Sequence, residues 1–196
     1  MPHIITVTRQ FGSLGRQIAR QVAEKLDMKY YDRDIIDITA QNMGINLDEL
    51  LECEGHSLSI YDRMMHPLGL GNAAAQERLY TIEKSVILEL ATNEDCVFVG
   101  RCVDYLLKDV PDVLSVYVYA PIEHRLKTSV ETFGLSDKEA RKYVEGVDKA
   151  RMDFYKHNIG AHYDSRLYRN LLIDSSEFGV EGSAELICSA AKLKFQ

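Results

Sequence analysis

The sequence predicts an α/β protein with three layers, in which a mostly parallel five-stranded sheet lies between helices and carries a helical insert and a lid. Two observations lead to this prediction. Five short apolar runs alternate with segments whose apolar residues recur at helical spacing. Several runs, such as residues 97–99 (Val-Phe-Val), are apolar at successive positions, which is typical of strands buried on both faces of a parallel sheet.

The individual elements follow from the same patterns. The predicted strands are residues 4–8, 28–31, 96–99, 113–119 and 171–174. Helical periodicity follows the first strand, at Ile18, Val22 and Leu26. It recurs before the third strand, at Leu79, Ile82, Val86 and Leu90. We expect these helices to cover the sheet.

Two segments depart from the alternation, and we expect both to cover the carboxyl edge of the sheet. The first, residues 40–78, contains a capping box at Asn46 and Glu49 that would begin a short helix. The second, residues 136–170, begins with a capping box at Ser136 and Glu139 and continues as a polar helix to about His157. No repeat or linker divides the chain, so residues 1–196 are expected to form a single domain.

Composition disfavours several classes of function. Asp and Glu outnumber Lys and Arg by 30 to 23, and the net charge of −7 argues against nucleic-acid binding. No apolar run is long enough to span a membrane and no signal peptide is recognisable, so we expect a cytoplasmic protein. The cysteines and histidines show none of the spacings of a disulfide framework, a zinc site or a hydrolase.

The loop after the first predicted strand carries the strongest functional signal. Its glycines let the backbone wrap with N–H groups pointing inward, and the helix that follows adds its positive end to the same concavity. The sequence therefore predicts a phosphate-binding loop. The predicted nucleotide-binding residues are Gln10, Phe11, Gly12, Ser13, Leu14, Gly15, Arg16 and Gln17.

This loop departs from the G-x-x-x-x-G-K-[ST] pattern at three positions. Gly15 matches the last glycine, whereas Gln10 replaces the first glycine, Arg16 the lysine and Gln17 the hydroxyl residue. Arg16 can still neutralise phosphate charge, because guanidinium binds oxyanions in a bidentate manner. Gln17 is a weaker metal ligand than a hydroxyl residue. The alternative interpretation is that Gly12 and Gly15 only form a tight turn.

Three runs together resemble the cytidylate kinase-like family of P-loop proteins: residues 7–16 (VTRQFGSLGR), 30–33 (YYDR) and 97–105 (VFVGRCVDY). The resemblance implies the P-loop kinase fold with a monophosphate-binding insert and an arginine-bearing lid, and it implies ATP and Mg²⁺ as cofactors. Authentic cytidylate kinases carry an acidic residue after the Gly-Arg pair. Here Cys102 follows Arg101, and Asp104 is the nearest carboxylate.

The resemblance and the positions at strand ends suggest a role for each charged loop. As catalytic residues, Arg16 would hold the donor phosphates, Arg101 the acceptor phosphate, and Lys149 and Arg151 would close from the lid. The substrate-binding candidates are Asp32, Arg33, Arg101 and Asp104. Mg²⁺ would be held by Gln17 or by Asp32 through water.

Each of these residues also has a purely structural interpretation. Arg101 could pair with Asp104 at the end of its strand, and Asp32 could be the N-cap of the next helix. Lys149 and Arg151 could belong to the solvated face of a charged helix.

The sequence therefore predicts an ATP-dependent kinase that phosphorylates a nucleoside monophosphate such as CMP or dCMP. Its partner would be a small-molecule nucleotide, with neither nucleic acid nor membrane involved. Two alternatives stay open: a nucleotide-binding sensor with little kinase activity, and a kinase of another small metabolite.

Overall fold

The computed structural model describes residues 2–32, 73–160, 163 and 167–196. The strands are β1 (Ile4–Arg9), β2 (Lys29–Tyr31), β3 (Cys96–Val99), β4 (Val113–Tyr119) and β5 (Leu171–Asp174). The helices are α1 (Gly15–Leu26), α2 (Ala73–Asn93), α3 (Val103–Leu106), α4 (Ile122–Phe133), α5 (Asp137–Ile159) and α6 (Ser175–Lys194). Arg33, the predicted capping box at Asn46 and Glu49, and residues 40–72 of the predicted insert lie outside the described residues.

The five strands form one parallel sheet in the order β2-β3-β1-β4-β5. The predicted α/β class and parallel sheet are confirmed. Parallel strands end at a common edge, where ligands of such sheets usually bind. Because β1 and β3 are neighbours, with Val7 opposite Val99, the loops that follow these two strands begin side by side.

Alternate strand residues enter two apolar cores on opposite faces of the sheet. On one face, Val7 packs in a cluster with Val22 of α1 and Ile187 of α6. On the other face, Phe98 packs in a cluster with Leu79 of α2. These clusters explain why the strand sequences lack a polar alternation.

Two strand boundaries differ by one residue from the sequence prediction. β1 extends to Arg9, which pairs with Val118 of β4. β2 begins at Lys29, because the amide of Met28 donates to the carbonyl of Ala23 (2.9 Å) and so completes the end of α1.

The predicted lid helix is present as α5, and it continues two residues beyond the predicted end at about residue 157. Its capping box is formed: the Ser136 hydroxyl accepts from the amide of Glu139, and the Glu139 carboxylate accepts from the amide of Ser136 (2.9 Å). Residues 73–78, which the sequence prediction included in the insert, belong to α2. None of the helices in the described ranges has the length and apolarity needed to cross a membrane.

Candidate functional site

A cavity of about 520 Å³ opens at the carboxyl ends of β1 and β3. Its walls come from the β1–α1 loop, the β3–α3 loop, α4 and α5. The predicted site residues that line it are Gln10, Phe11, Gly12, Leu14, Gly15, Arg16, Gln17, Arg101, Asp104 and Arg151. Ser13, Asp32 and Lys149 do not line it, and Lys149 is solvent-exposed.

The backbone amides of the β1–α1 loop divide into two groups. The amides of Gln10, Phe11 and Ser13 donate to Val118, Asp148 and Gln10, respectively. In contrast, no hydrogen bond within the described residues uses the amides of Leu14, Gly15 or Gln17, whose residues line the cavity. The first amides of a helix lack intrahelical acceptors and favour anions. The loop therefore retains the donors that a phosphate requires.

Ser13 anchors the loop from beneath. Its buried hydroxyl donates to the carbonyls of Gln10 (2.9 Å) and Val118 (3.2 Å). The Ser175 hydroxyl donates to the carbonyl of Ser13 (2.7 Å), which ties the loop to the start of α6. The side chain of Ser13 thus serves the loop's shape, and it lies away from the cavity wall.

Arg125 and Asp148 fasten the loop to α4 and α5. The Arg125 guanidinium donates to the carbonyl of Phe11 (3.2 Å) and pairs with Asp148 (2.5 Å). Asp148 in turn accepts from the amide of Phe11 (2.7 Å). Gly12, with a positive φ of 77°, allows this approach, because a Cβ there would lie 2.7 Å from the Arg125 carbonyl oxygen. Arg125 was not predicted from the sequence, because no local motif distinguishes it.

Arg16 lies at the cavity wall and forms an ion pair with Asp32 (3.4 Å), the residue that follows β2. The Tyr30 hydroxyl donates to the same Asp32 oxygen (3.1 Å). Burial, and next the charge of Asp32, raise the pKa of Tyr30 to about 12, so this hydroxyl stays a donor at neutral pH. The predicted phosphate-binding and substrate-binding residues Arg16 and Asp32 therefore contact each other.

Arg101 forms an ion pair with Glu83, a partner that the sequence did not indicate. Its guanidinium pairs with the buried carboxylate of Glu83 on α2 (2.5 Å) and lies over the ring of Phe154 (5.4 Å to the centroid). The structural alternative that paired Arg101 with Asp104 is wrong. Asp104 instead pairs with Arg169 (3.1 Å), since the chain before β5 brings Arg169 against the start of α3.

Asp104 is also the acceptor of a hydrogen bond from the Tyr155 hydroxyl (3.4 Å), and Arg169 stacks over Tyr117 (4.4 Å to the centroid). The thiol of Cys102 is buried beside this group. Burial, followed by the charge of Asp104, raises its pKa, so the thiol is protonated at neutral pH and is not a nucleophile.

Arg9 lines the cavity but was not among the predicted site residues. Its carbonyl accepts hydrogen bonds from the Arg151 guanidinium (3.1 Å) and the Tyr163 hydroxyl (2.6 Å). Burial, and next the positive charge of Arg151, lower the pKa of Arg9 to about 9. Its position as the last residue of β1, at the ligand-binding edge of the sheet, was the signal that could have identified it.

Within the described residues there is no cluster of three or more His, Cys, Asp or Glu side chains able to hold a metal ion. Mg²⁺ commonly binds through one or two carboxylates, phosphate oxygens and water. Of the two predicted Mg²⁺ ligands, Gln17 lies on the cavity wall, whereas Asp32 is buried, lies off that wall and already contacts Arg16 and the Tyr30 hydroxyl.

Comparisons with known proteins agree with this fold. The model of the cytidylate kinase-like family matches residues 4–177. An uncharacterized protein from Eubacterium ventriosum ATCC 27560 has a TM-score of 0.75 at 19% identity, with 97% of this chain and 98% of that chain covered. The shikimate kinase from Acinetobacter baumannii, in complex with shikimate, has a TM-score of 0.54 at 17% identity, with 98% and 94% covered. A gluconokinase from Sinorhizobium meliloti 1021 has a TM-score of 0.52 at 15% identity, with 98% and 94% covered. No curated protein matches the chain.

Proposed function

This chain belongs to the cytidylate kinase-like family, and we propose that it transfers the γ-phosphoryl group of ATP to a nucleoside monophosphate, with CMP or dCMP as the preferred acceptor. Family membership and the P-loop kinase fold support a nucleotide-dependent, kinase-like role. The observation that carries the proposal is the set of available loop amides at Leu14, Gly15 and Gln17 on the cavity wall. Such amides at a helix N-terminus bind phosphate oxygens.

The site would work by positioning and charge. In phosphoryl transfer, an acceptor oxygen forms a bond to the γ-phosphorus while the bond from that phosphorus to the β–γ bridging oxygen breaks, and ADP leaves. The loop amides and Arg16 would hold the donor phosphates, and Arg151 would approach from α5. Mg²⁺, held by the phosphates with Gln17 or with Asp32 through water, would supply further charge neutralisation.

Aromatic side chains on the cavity wall suit a nucleobase. Phe11 and Phe133 line the cavity next to α4, and Phe154 and Tyr155 line it from α5. Flat rings bury a large apolar area and stack on other rings. This wall supports a nucleotide rather than a purely polar ligand.

A kinase of a hydroxyl-bearing metabolite is the second candidate. The observation that favours it is the ion pair between Arg101 and Glu83, which engages the cation predicted to hold the acceptor phosphate. An acceptor without a phosphate group would not need that cation. Shikimate kinase and gluconokinase are among the proteins with a similar fold.

A nucleotide sensor is the third candidate, and the ion pair between Arg16 and Asp32 favours it. In that case the loop would bind a nucleotide, while a cation expected to assist transfer would stay paired.

The test is ADP formation from ATP and Mg²⁺ in the presence of CMP, dCMP, UMP or AMP, or of shikimate or gluconate. We expect CMP or dCMP to stimulate ADP formation most. Stimulation by a hydroxyl-bearing acid alone would support the second candidate, and ATP binding without any stimulation would support the sensor. Absence of ATP binding would refute all three.

Variants of two arginines on α1 test the loop itself. Arg16→Ala should weaken ATP and ADP binding alike by about 1.5–3 kcal/mol, the scale of a lost charged hydrogen bond. Arg20→Ala is the matched control, because Arg20 is exposed and does not line the cavity. Affinities are measured by titration calorimetry. Equal affinities for the two variants would remove Arg16 from the site.

A further inference from the structure

The side chain of Arg9 passes between two glycines of the cavity. A Cβ at Gly15 would lie 2.6 Å from the Arg9 Cβ, and a Cβ at Gly100 would overlap the Arg9 Nη1. Both distances are shorter than a real side chain tolerates. Gly15 from the β1–α1 loop and Gly100 from the β3–α3 loop therefore leave a space that the arginine fills. This gives both glycines a role beyond turn formation.

Arg9 differs from the other arginines on the cavity wall in its charge environment. Among the described residues, each of the others has a carboxylate within 4 Å: Arg16 with Asp32 (3.4 Å), Arg101 with Glu83 (2.5 Å) and Arg151 with Asp148 (3.9 Å). Within the same described ranges, Arg9 forms no ion pair. The strongest charge effects on it come from Arg151, Tyr163 and Arg16. Burial is the largest effect and lowers the pKa of Arg9, the charges of Arg151 and Arg16 lower it further, and Tyr163 raises it.

Arg9 is half-buried at the cavity wall, and a half-buried cation without a carboxylate beside it in the described ranges is stabilised when an anion binds next to it. Charged groups that lose water without a partner cost free energy, and proteins pair them or bind an ion with them. Guanidinium stays charged at neutral pH, so Arg9 does not escape this cost by losing its proton. The backbone of Arg9 is also held by Arg151 and Tyr163. The cavity therefore keeps a fixed positive charge ready for an external anion.

The position of Arg9 identifies which anion it would meet. The side chain extends from the start of the phosphate-binding loop across to Gly100, at the end of the neighbouring strand β3. The donor phosphates would bind on the loop side, and the acceptor would bind towards β3 and β2. An anionic group bound at the Arg9 guanidinium would lie between the donor phosphates and the acceptor.

We infer that Arg9 binds the phosphoryl group in transit, donating hydrogen bonds to non-bridging oxygens of the γ-phosphate of ATP. This inference rests on the proposed kinase function and adds a catalytic residue to it. Arg9 neutralises charge on those oxygens while the acceptor oxygen bonds to the γ-phosphorus and the bond to the β–γ bridging oxygen breaks. Arg16, paired with Asp32 at the cavity wall, contacts the phosphates that ATP and ADP share.

The experiment compares wild type with Arg9→Met, which removes the charge and keeps most of the length. Binding of a non-hydrolysable ATP analogue and of ADP, both with Mg²⁺, is measured by calorimetry. We expect Arg9→Met to lower the affinity for the analogue about ten- to a hundredfold, the effect of losing a charged hydrogen bond to one phosphate. The affinity for ADP should fall less than about threefold. Arg20→Met is the matched control and should change neither affinity.

A thermal melt of the ligand-free protein separates this role from a structural one. Loss of an uncompensated cation should leave the melting temperature of Arg9→Met equal to or above that of wild type. A melting temperature well below that of Arg20→Met, or failure of Arg9→Met to fold, would show that Arg9 holds the structure together and would overturn the inference.

Gly100→Ala provides an independent variant with the charge intact. The added Cβ should displace the Arg9 guanidinium and lower the affinity for the ATP analogue more than the affinity for ADP. If wild type binds both nucleotides and Arg9→Met binds the analogue equally well, the inference is wrong while the proposed function stands. If wild type binds neither nucleotide, the proposed function fails first.

Discussion

Two buried ion pairs beside the cavity each join residues from different parts of the fold. Glu83 of α2 meets Arg101, and Arg169 meets Asp104, with all four side chains almost completely buried. Charges that leave water need such partners, because the unpaired charge costs several kcal/mol. The pairs therefore position the β3–α3 loop at the mouth of the cavity.

Substitution of Glu83 tests how much one such ion pair contributes to the free energy of unfolding. Glu83→Ala leaves the buried guanidinium of Arg101 without its carboxylate, and we expect the free energy of unfolding to fall by about 3–5 kcal/mol. Glu89→Ala is the matched control, since Glu89 lies on the exposed face of the same helix. Urea denaturation measures both. A loss no larger than that of Glu89→Ala would show that the pair contributes nothing to stability.

At the scale of a single element, helix α5 begins at a capping box and packs one face against its neighbours. Its capping box fixes the N-terminus. Tyr143, Val144 and Val147 form an apolar cluster with Phe11 of the β1–α1 loop. The helix predicted as an arginine-bearing lid also packs against this loop, and its Arg151 lines the cavity.

The capping box gives a prediction about stability. Ser136→Ala should lower the free energy of unfolding by about 1 kcal/mol, the usual effect of a lost N-cap. Asp137→Asn serves as the control, because it changes a neighbouring residue and keeps the Ser136 hydroxyl that forms the cap. Chemical denaturation at neutral pH measures the difference, and equal stabilities for the two variants would contradict the role of the cap.

The same box predicts a pH dependence. Hydrogen bonds from the Ser136 side chain and backbone lower the pKa of Glu139 below its usual 4.5. A lowered folded-state pKa gives stability that is present above the unfolded-state value and is lost as pH falls through the folded-state value. The stability difference between wild type and Glu139→Gln should therefore shrink below about pH 4.5. Denaturation curves from pH 7 to pH 3 measure this difference, and a constant difference would be the contrary result.

At the scale of the whole molecule, the sheet is buried between two helical layers. Phe98 of β3 is completely buried and stacks on Tyr31 of β2 (5.5 Å between centroids). The core cluster that contains it also includes residues of α2, α3, β1 and β4. The central strands therefore depend on helices on both sides, as their apolar sequences predict.

Truncation of Phe98 should be costly for that reason. Phe98→Ala should lower the free energy of unfolding by about 3–5 kcal/mol, the usual cost of a large cavity in a core. Leu193→Ala, near the end of α6, removes an apolar side chain that is 72% exposed and should change stability little. Thermal and urea melts measure both. Similar losses would show that the β3 face is not part of a packed core.

The sequence was informative wherever a local pattern has a direct physical cause. Short apolar runs located all five strands to within one residue at each end, and the Ser136 box marked the start of α5. The glycines of residues 12–15 indicated a loop with inward amides. Long-range charge pairing has no comparable local signal, and for that reason the structural alternative that paired Arg101 with Asp104 was wrong.

The sequence by itself determined the parallel α/β sheet and predicted a phosphate-binding loop at its edge, because hydrophobic periodicity and glycine positions act over a few neighbouring residues. Only the tertiary structure decided which charges meet. Asp104 pairs with Arg169, which is 65 residues away in the sequence. Arg9 lies between two glycines from different loops, and no carboxylate of the described residues forms an ion pair with it. Coulomb interactions depend on distance in space, and the folded sheet alone sets those distances.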